Sequence, residues 1–210
     1  MGDRWVRFLP LTGVVFAVLI LVSFLVSGNE PSSSASTQKV VSFYDSHKGS
    51  TSASAYALAY ASVFVIFFAA VLRRRLRDSA NDGSIGLGFG GAIFLAIAIA
   101  VGSGQSFALS DSPKSISPAA LQAVNLLGSD IVGPAVQIGM VAFMLGFGIA
   151  ILRGTQVSRW FGWAAIALGI LAAVPAIGFF SILGIVVWSI VLGLLLMMRT
   201  EAPAAVLAAP

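Results

Sequence analysis

The 210-residue sequence contains no cysteine and a single histidine, His47. Disulfide frameworks, thiol nucleophiles and cysteine-ligated zinc are thereby excluded, and a multi-histidine metal site is impossible. Charge is scarce as well: Asp, Glu, Lys and Arg together make up 10%, where soluble domains carry about 25%. That is too little ionic surface to cover a globule of this size in water. Hydrophobic residues reach 58%, tyrosine included, before 22 glycines are counted; soluble domains reach about 45–50% with glycine included. An ordinary soluble enzyme and a disordered chain are both excluded. What the sequence does hold is long apolar runs, and these make it an integral membrane protein.

The runs are bounded by charge, because a charged side chain at the bilayer centre costs at least about 2.5–3.5 kcal/mol. Phe8 to Asn29, Ala53 to Leu72, Ile85 to Leu109 and Ile131 to Leu152 are uncharged and each reaches the roughly 20-residue crossing length. Trp160 to Met198 is uncharged for 39 residues, twice what one crossing uses. Val174-Pro175-Ala176-Ile177-Gly178 divides it, since proline lacks the donor that continues a helix and glycine tolerates reversal. The expected architecture is an all-α membrane protein: a six-transmembrane-helix bundle, with spans over about 8–28, 53–72, 85–108, 131–152, 160–175 and 178–198. The rival is five spans, with Pro175 kinking one long tilted helix. The first run is too long for the core of a cleaved signal, about 7–15 residues, and is read as a retained anchor.

Lys and Arg set the orientation, since they are retained on the cytoplasmic side. With the N-terminus inside, Arg4, Arg7, Arg73, Arg74, Arg75, Arg77, Arg153, Arg159 and Arg199 are cytoplasmic, whereas Lys39, Lys48 and Lys114 are outside. Six spans return the tail, 199–210, to the cytoplasm, so both termini are expected inside. Trp5, Trp160 and Trp163 fall at cytoplasmic span ends and Tyr44 and Tyr56 near the opposite surface, as interfacial aromatics do. Arg73, Arg74, Arg75 and Arg77 are expected to contact anionic lipid headgroups, each worth about 1 kcal/mol. So short a basic turn offers nothing to nucleic acid.

Two extracytoplasmic loops, 29–52 and 110–130, hold most of the polar variety. The first opens on Asn29-Glu30-Pro31 and a serine run that can bury little and is expected to be mobile. Val40, Phe43 and Tyr44 then recur at helical spacing, predicting a short surface helix that Gly49 ends. In the other loop Ser117-Pro118 reads as an N-cap and first-turn pair, followed by Leu121, Val124 and Leu127, predicting a second surface helix stopped by Gly128. Asp130 is expected to cap the fourth span. Tyr44, Asp45, His47, Asp111, Asn125 and Asp130 form the one candidate ligand-binding set. In its sharpest form Asp45, His47 and Asp130 converge above a floor of Gln105 and Ser106; the plainer explanation is solvated loop polarity and helix capping.

No catalytic residues, metal site or cofactor are predicted. Gly102-Ser103-Gly104-Gln105-Ser106 has the look of a serine nucleophile but no base to activate it, since no span contains His, Lys, Asp or Glu. The glycine run from Gly86 to Gly91 lacks a preceding strand and is read as helix packing through the Gly86/Gly90 pair; Ala165, Gly169 and Ala173, like Ala98, Gly102 and Ser106, repeat small residues four apart. Trp188 falls mid-span, where its indole N–H needs an internal partner. The absence of intramembrane charge weighs against an ion-coupled pump.

Phe43-Tyr44-Asp45-Ser46-His47-Lys48-Gly49 before a span, Ala70-Val71-Leu72-Arg73-Arg74-Arg75-Leu76-Arg77 after it, and Arg159-Trp160-Phe161-Gly162-Trp163 opening the fifth resemble an uncharacterised family of six-span bacterial membrane proteins. The resemblance implies a multi-pass protein of the bacterial plasma (inner) membrane with the topology above, and it brings no activity with it. The functional expectation is a non-catalytic membrane component that binds or supports a membrane partner or second copy, or senses an external ligand. A small transporter or channel, with a cavity lined by Gln137, Ser181, Trp188 or Ser189, comes second, and a membrane-embedded enzyme third.

Overall fold

The computed structural model describes residues 7–77, 82–111, 113, 116–154, 157–174 and 177–198, and every regular element among them is helical. Arg4, Trp5, Lys114, Pro175, Arg199 and the tail lie outside the described residues. After a short 3-10 turn, Leu9–Leu11, the helices are α1 (Thr12–Ser27), α2 (Thr37–Ser46), α3 (Lys48–Leu76), α4 (Asp82–Asp111), α5 (Pro118–Leu127), α6 (Gly133–Arg153), α7 (Arg159–Ala172) and α8 (Gly178–Met198). Five helical runs are long and apolar enough to cross a membrane: Leu9–Ser27, Lys48–Leu76, Gly83–Asp111, Pro118–Arg153 and Phe180–Met198. The fifth predicted span is the exception. It forms 14 residues of helix, about 21 Å at ~1.5 Å per residue, because regular α geometry stops three residues short of Pro175 and passes into tight turns at Ala173 and Val174.

The bundle is a closed ring. Around it α1 meets α3, α3 meets α4, α4 meets α6, α6 meets α7, α7 meets α8, and α8 returns to α1. One end carries Arg7, Arg73, Arg74, Arg75, Arg77, Arg153 and Arg159; the other carries α2 and α5. We call them the arginine end and the capped end. Arg73 lies over the Phe89 ring, 5.1 Å from its centroid, so a cation–π contact holds the basic turn against α4.

Large rings fill the interior toward the arginine end. Phe68 of α3 and Phe143 of α6 both stand edge-on to Trp188 of α8, at 6.3 and 6.1 Å. Since α3 and α8 are not neighbours in the ring, this contact crosses its centre. The Trp188 indole N–H donates to the Phe161 carbonyl of α7 at 3.0 Å, which supplies the partner that a mid-span indole requires. Close helix approach makes room for these rings. A Cβ on Gly139 would stand 2.7 Å from Leu95 Cα, and one on Gly146 would overlap the Gly88 backbone. The α4–α6 seam therefore runs through Gly88 and Gly91, whereas nothing stands within 4 Å of a Cβ placed on Gly86 or Gly90. The predicted Gly86/Gly90 pair faces outward. Of the other small-residue rows, Ala165 and Gly169 do pack against α6, whereas Ala173 is exposed.

At the capped end both predicted short helices form, with altered boundaries. Ser117 accepts from the Ala120 N–H at 3.3 Å as N-cap, with Pro118 in the first turn. The first helix breaks at His47, not Gly49, which lies inside α3. Gly128 does not stop α5 either; the chain widens into a π-helical turn, Gly128–Val132, and continues as α6. Pro134 gives the reason: it cannot donate to the Asp130 carbonyl, and its ring crowds that turn, so a continuous helix must loosen just ahead of it. Asp130 thus sits within the π-turn instead of capping a helix.

Candidate functional site

Five features meet at the capped end. Gly28, the one glycine at positive φ (69°) among the described residues, ends α1 and turns the chain over the bundle. Asn29 and Glu30 follow and reach a cleft of about 500 Å³ between the ends of α1, α3, α4 and the π-turn. Ser23, Ser54, Gln105 and Ser106 supply most of the remaining polarity of its wall. The Ser54 hydroxyl donates to the Ser23 carbonyl at 3.1 Å, tying α3 to α1. Gln105 Nε2 donates to the Val124 carbonyl at 2.9 Å, and its amide fills the space that a Cβ on Gly128 would occupy. A glycine at 128 is therefore what lets α4 reach the foot of α5.

Among the described residues, Glu30 is the one ionisable residue lining this cleft. Its side chain is exposed, and the helix ends beside it take away enough water to hold its carboxyl above the usual value. Tyr44 of α2 is raised too, first by its own burial and then by the negative charge of Glu30. The cleft and the cap above it are thus electrically linked.

The cap has its own small core of Val40, Tyr44, Leu109 and Leu121. Within it the Tyr44 hydroxyl donates to Asn125 Oδ1 at 3.3 Å, whereas Asn125 Nδ2 is buried without a partner. The serine run expected to be mobile is tied down: Gln122 Nε2 donates to the carbonyls of Ser33, at 3.4 Å, and Ala35, at 3.3 Å.

Of the six predicted site residues, the structure brings Tyr44 and Asn125 together and spreads the others around the cap. Asp45 lines a separate groove with Thr37, Gln38 and Pro118. His47 is exposed, its Nδ1 2.9 Å from the Ser46 hydroxyl and its ring stacked on Phe43. Asp111 borders a third recess beside Ser52 and Tyr56, and its carbonyl accepts from Lys48 Nζ. Asp130 is exposed on the π-turn. Among the described residues, no three of His, Asp and Glu stand close enough to hold a metal ion. The predicted floor residues, Gln105 and Ser106, do line a cleft, but with Glu30 in the acidic role. Sequence reasoning passed over Glu30 because it lies in a low-complexity stretch. The available signal was a carboxylate directly after the Gly28-Asn29 helix stop.

The other site-like motifs are absorbed by packing. Ser103 is buried and donates to the Ala55 carbonyl at 2.8 Å, so its hydroxyl locks α4 to α3. At the arginine end Arg73, Arg74 and Arg77 line a recess with Gly86 and Phe89, while Arg75 is half-buried.

Compared with protein-family models, curated proteins and solved structures, the chain has no significant match in any of the three. The reading of its function therefore rests on the residues and geometry described above.

Proposed function

We propose that this chain is a six-span protein of the bacterial plasma membrane, with cytoplasmic N- and C-termini, that binds a ligand at its extracytoplasmic, capped end without transforming it. The observation that carries this reading is the Glu30 cleft: one carboxylate, a fixed amide and the serines Ser23, Ser27, Ser54 and Ser106 converge from separate helix ends beneath the cap. Such a concave site with a few convergent polar groups is the usual form of a small-ligand pocket.

The topology has independent support. Arginines gather at one end of the bundle and Lys39 and Lys48 stand at the other, the asymmetry expected of cytoplasmic and external faces. At the arginine end, the recess of Arg73, Arg74, Arg77 and Phe89 suits an anionic headgroup. For the sixth crossing, α7 packs along α6 from Leu152, which Gly162 meets, to Met144, which Gly169 meets. Its 14 residues give about 21 Å of helix at ~1.5 Å per residue, and the bilayer thins locally around a short span.

A second reading, docking of a membrane partner or another copy, is favoured by the outward-facing Gly86 and Gly90, beside which a neighbouring helix finds no side chain in the way. The transporter reading draws less support, since neither the cleft nor the chamber described below is lined by Gln137, Ser181, Trp188 or Ser189.

The test is purification in mild detergent followed by mass spectrometry for bound small molecules, lipids and proteins. A molecule that raises the melting temperature of the wild type, but not of Glu30→Gln, is the expected result. A molecule that stabilises both equally contradicts a ligand site at Glu30.

A further inference from the structure

The cleft does not end at its polar wall. Phe24, Leu58, Gly102 and Val132 border both the cleft and a second cavity of about 150 Å³ deeper in the bundle. Residues of α1, α3, α4, α6 and α8, together with Val132 of the π-turn, line this chamber, which places it in the middle of the ring. Its lining is apolar throughout, with Leu95, Met140 and Ile185 among it. The Phe68, Phe143 and Trp188 rings stand outside its lining, in the same buried core. Gly102 sits against Val132 at this border, where a Cβ would stand 3.0 Å from Val132 Cγ1.

A polar mouth beside an apolar chamber, with four lining residues in common, makes an amphiphile-shaped space. We infer that the capped end binds a single-chain amphiphile whose hydrogen-donating, cationic head sits at Glu30 and Gln105 and whose hydrocarbon chain passes Gly102 into the chamber. This rests on the reading of the cleft as a ligand site and adds the chemical class of the ligand. The head is cationic because Glu30 is, among the described residues, the one ionisable group at the mouth, and a carboxylate there pairs with an ammonium through charge-assisted hydrogen bonds. The tail is hydrocarbon because a chamber with no polar lining has nothing to offer water; an apolar cavity of similar volume in another protein stays dry and takes up benzene, about six carbons. A small polar solute would use the mouth and leave the chamber empty.

The test uses the full chain in phosphatidylcholine nanodiscs with two photoreactive decylamines, one carrying its diazirine at the chain end and one beside the ammonium, and maps adducts by mass spectrometry. The chain-end probe is expected to label Met140 and Leu95 in preference to the outward-facing Ile97 and Val187, and unlabelled decylamine should compete. Glu30→Gln should weaken capture of the amine about tenfold, the loss expected for one charged hydrogen bond, while capture of decanol carrying the same chain-end diazirine is unchanged. Val136→Phe, which narrows the chamber, should abolish chain-end labelling of Met140 in protein that remains monodisperse; if that variant does not fold, the amine and alcohol comparison on Glu30→Gln decides alone. Head-probe adducts at Asn29 or Gln105 together with chain-end adducts only on outward-facing residues would overturn the amphiphile while leaving the ligand site standing. No competed adduct from either probe would overturn both.

Discussion

The Tyr44 hydroxyl donates to Asn125 Oδ1 at 3.3 Å inside the cap core, and the same Asn125 leaves its Nδ2 buried and unpaired. The two halves of this relationship pull in opposite directions. Tyr44→Phe removes the donor and should cost about 0.5–1.5 kcal/mol, the net worth of one intramolecular hydrogen bond. Tyr44→Phe with Asn125→Leu removes both groups together with the orphaned amide, and should be close to neutral. Thermal unfolding of the purified variants distinguishes the two; equal losses would show that the bond does not hold the cap.

Glu30 makes the stability of the protein fall as pH rises through the carboxylate range. Its folded pKa is raised above 4.5 by desolvation, so between that value and the folded one the native state binds more protons than the unfolded chain, and stability declines with pH. Glu30→Gln should therefore be the more stable protein at neutral pH, with the difference vanishing below about pH 4.5, where both forms are uncharged. Melting curves that stay parallel for the two proteins from acid to neutral pH would contradict this environment.

The glycines of α4 and α6 should separate into two groups. Gly146→Ala and Gly91→Ala place a methyl into the facing helix backbone and should cost about 1–3 kcal/mol, as overpacking does. Gly86→Ala and Gly90→Ala meet nothing and should be neutral or stabilising, by up to about 1 kcal/mol of helix propensity. Loss of oligomeric size in Gly90→Ala, read by light scattering, would instead support a partner helix on that face.

Trp188 carries a hydrogen bond as well as a ring. Trp188→Phe keeps most of the contact with Phe68 and Phe143 but removes the second donor to the Phe161 carbonyl, which keeps its partner within α7, at about 0.5–1.5 kcal/mol for one lost hydrogen bond. The α7–α8 hairpin should loosen first, which amide hydrogen exchange at residues 161–172 would detect.

What the sequence made legible depended on how local the cause was. The apolar runs, the Ser117 cap and the Val40/Tyr44 spacing are set by residues within a turn or two; among the described residues five membrane-length helices and the helices at Ser117 and Val40 are present, and the run after Arg159 forms 14 residues of helix. Gly49 and Gly128 were misleading because glycine permits a break without requiring one. Pro134, six residues further on, explains the π-turn better than either. The packing glycines were misassigned by register: Gly86/Gly90 and Gly88/Gly91 lie on different faces of one helix, and only the position of α6 says which face is buried. Glu30 acquires its surroundings from α3, α4 and the π-turn, all distant in sequence, so no local pattern marks it.

The central claim is a bundle crossing six times with its cap and cleft outside, and the natural absence of cysteine makes it directly measurable. Single cysteines at Ser33, Ser79, Ser115, Thr155 and Ala205 are to be probed with a membrane-impermeant thiol reagent in intact cells. Labelling at Ser33 and Ser115 alone is the predicted result. Labelling of Ala205 from outside would mean that α7 does not cross, and protection of Ser33 with exposure of Ser79 and Thr155 would turn the protein upside down and remove the external ligand site with it.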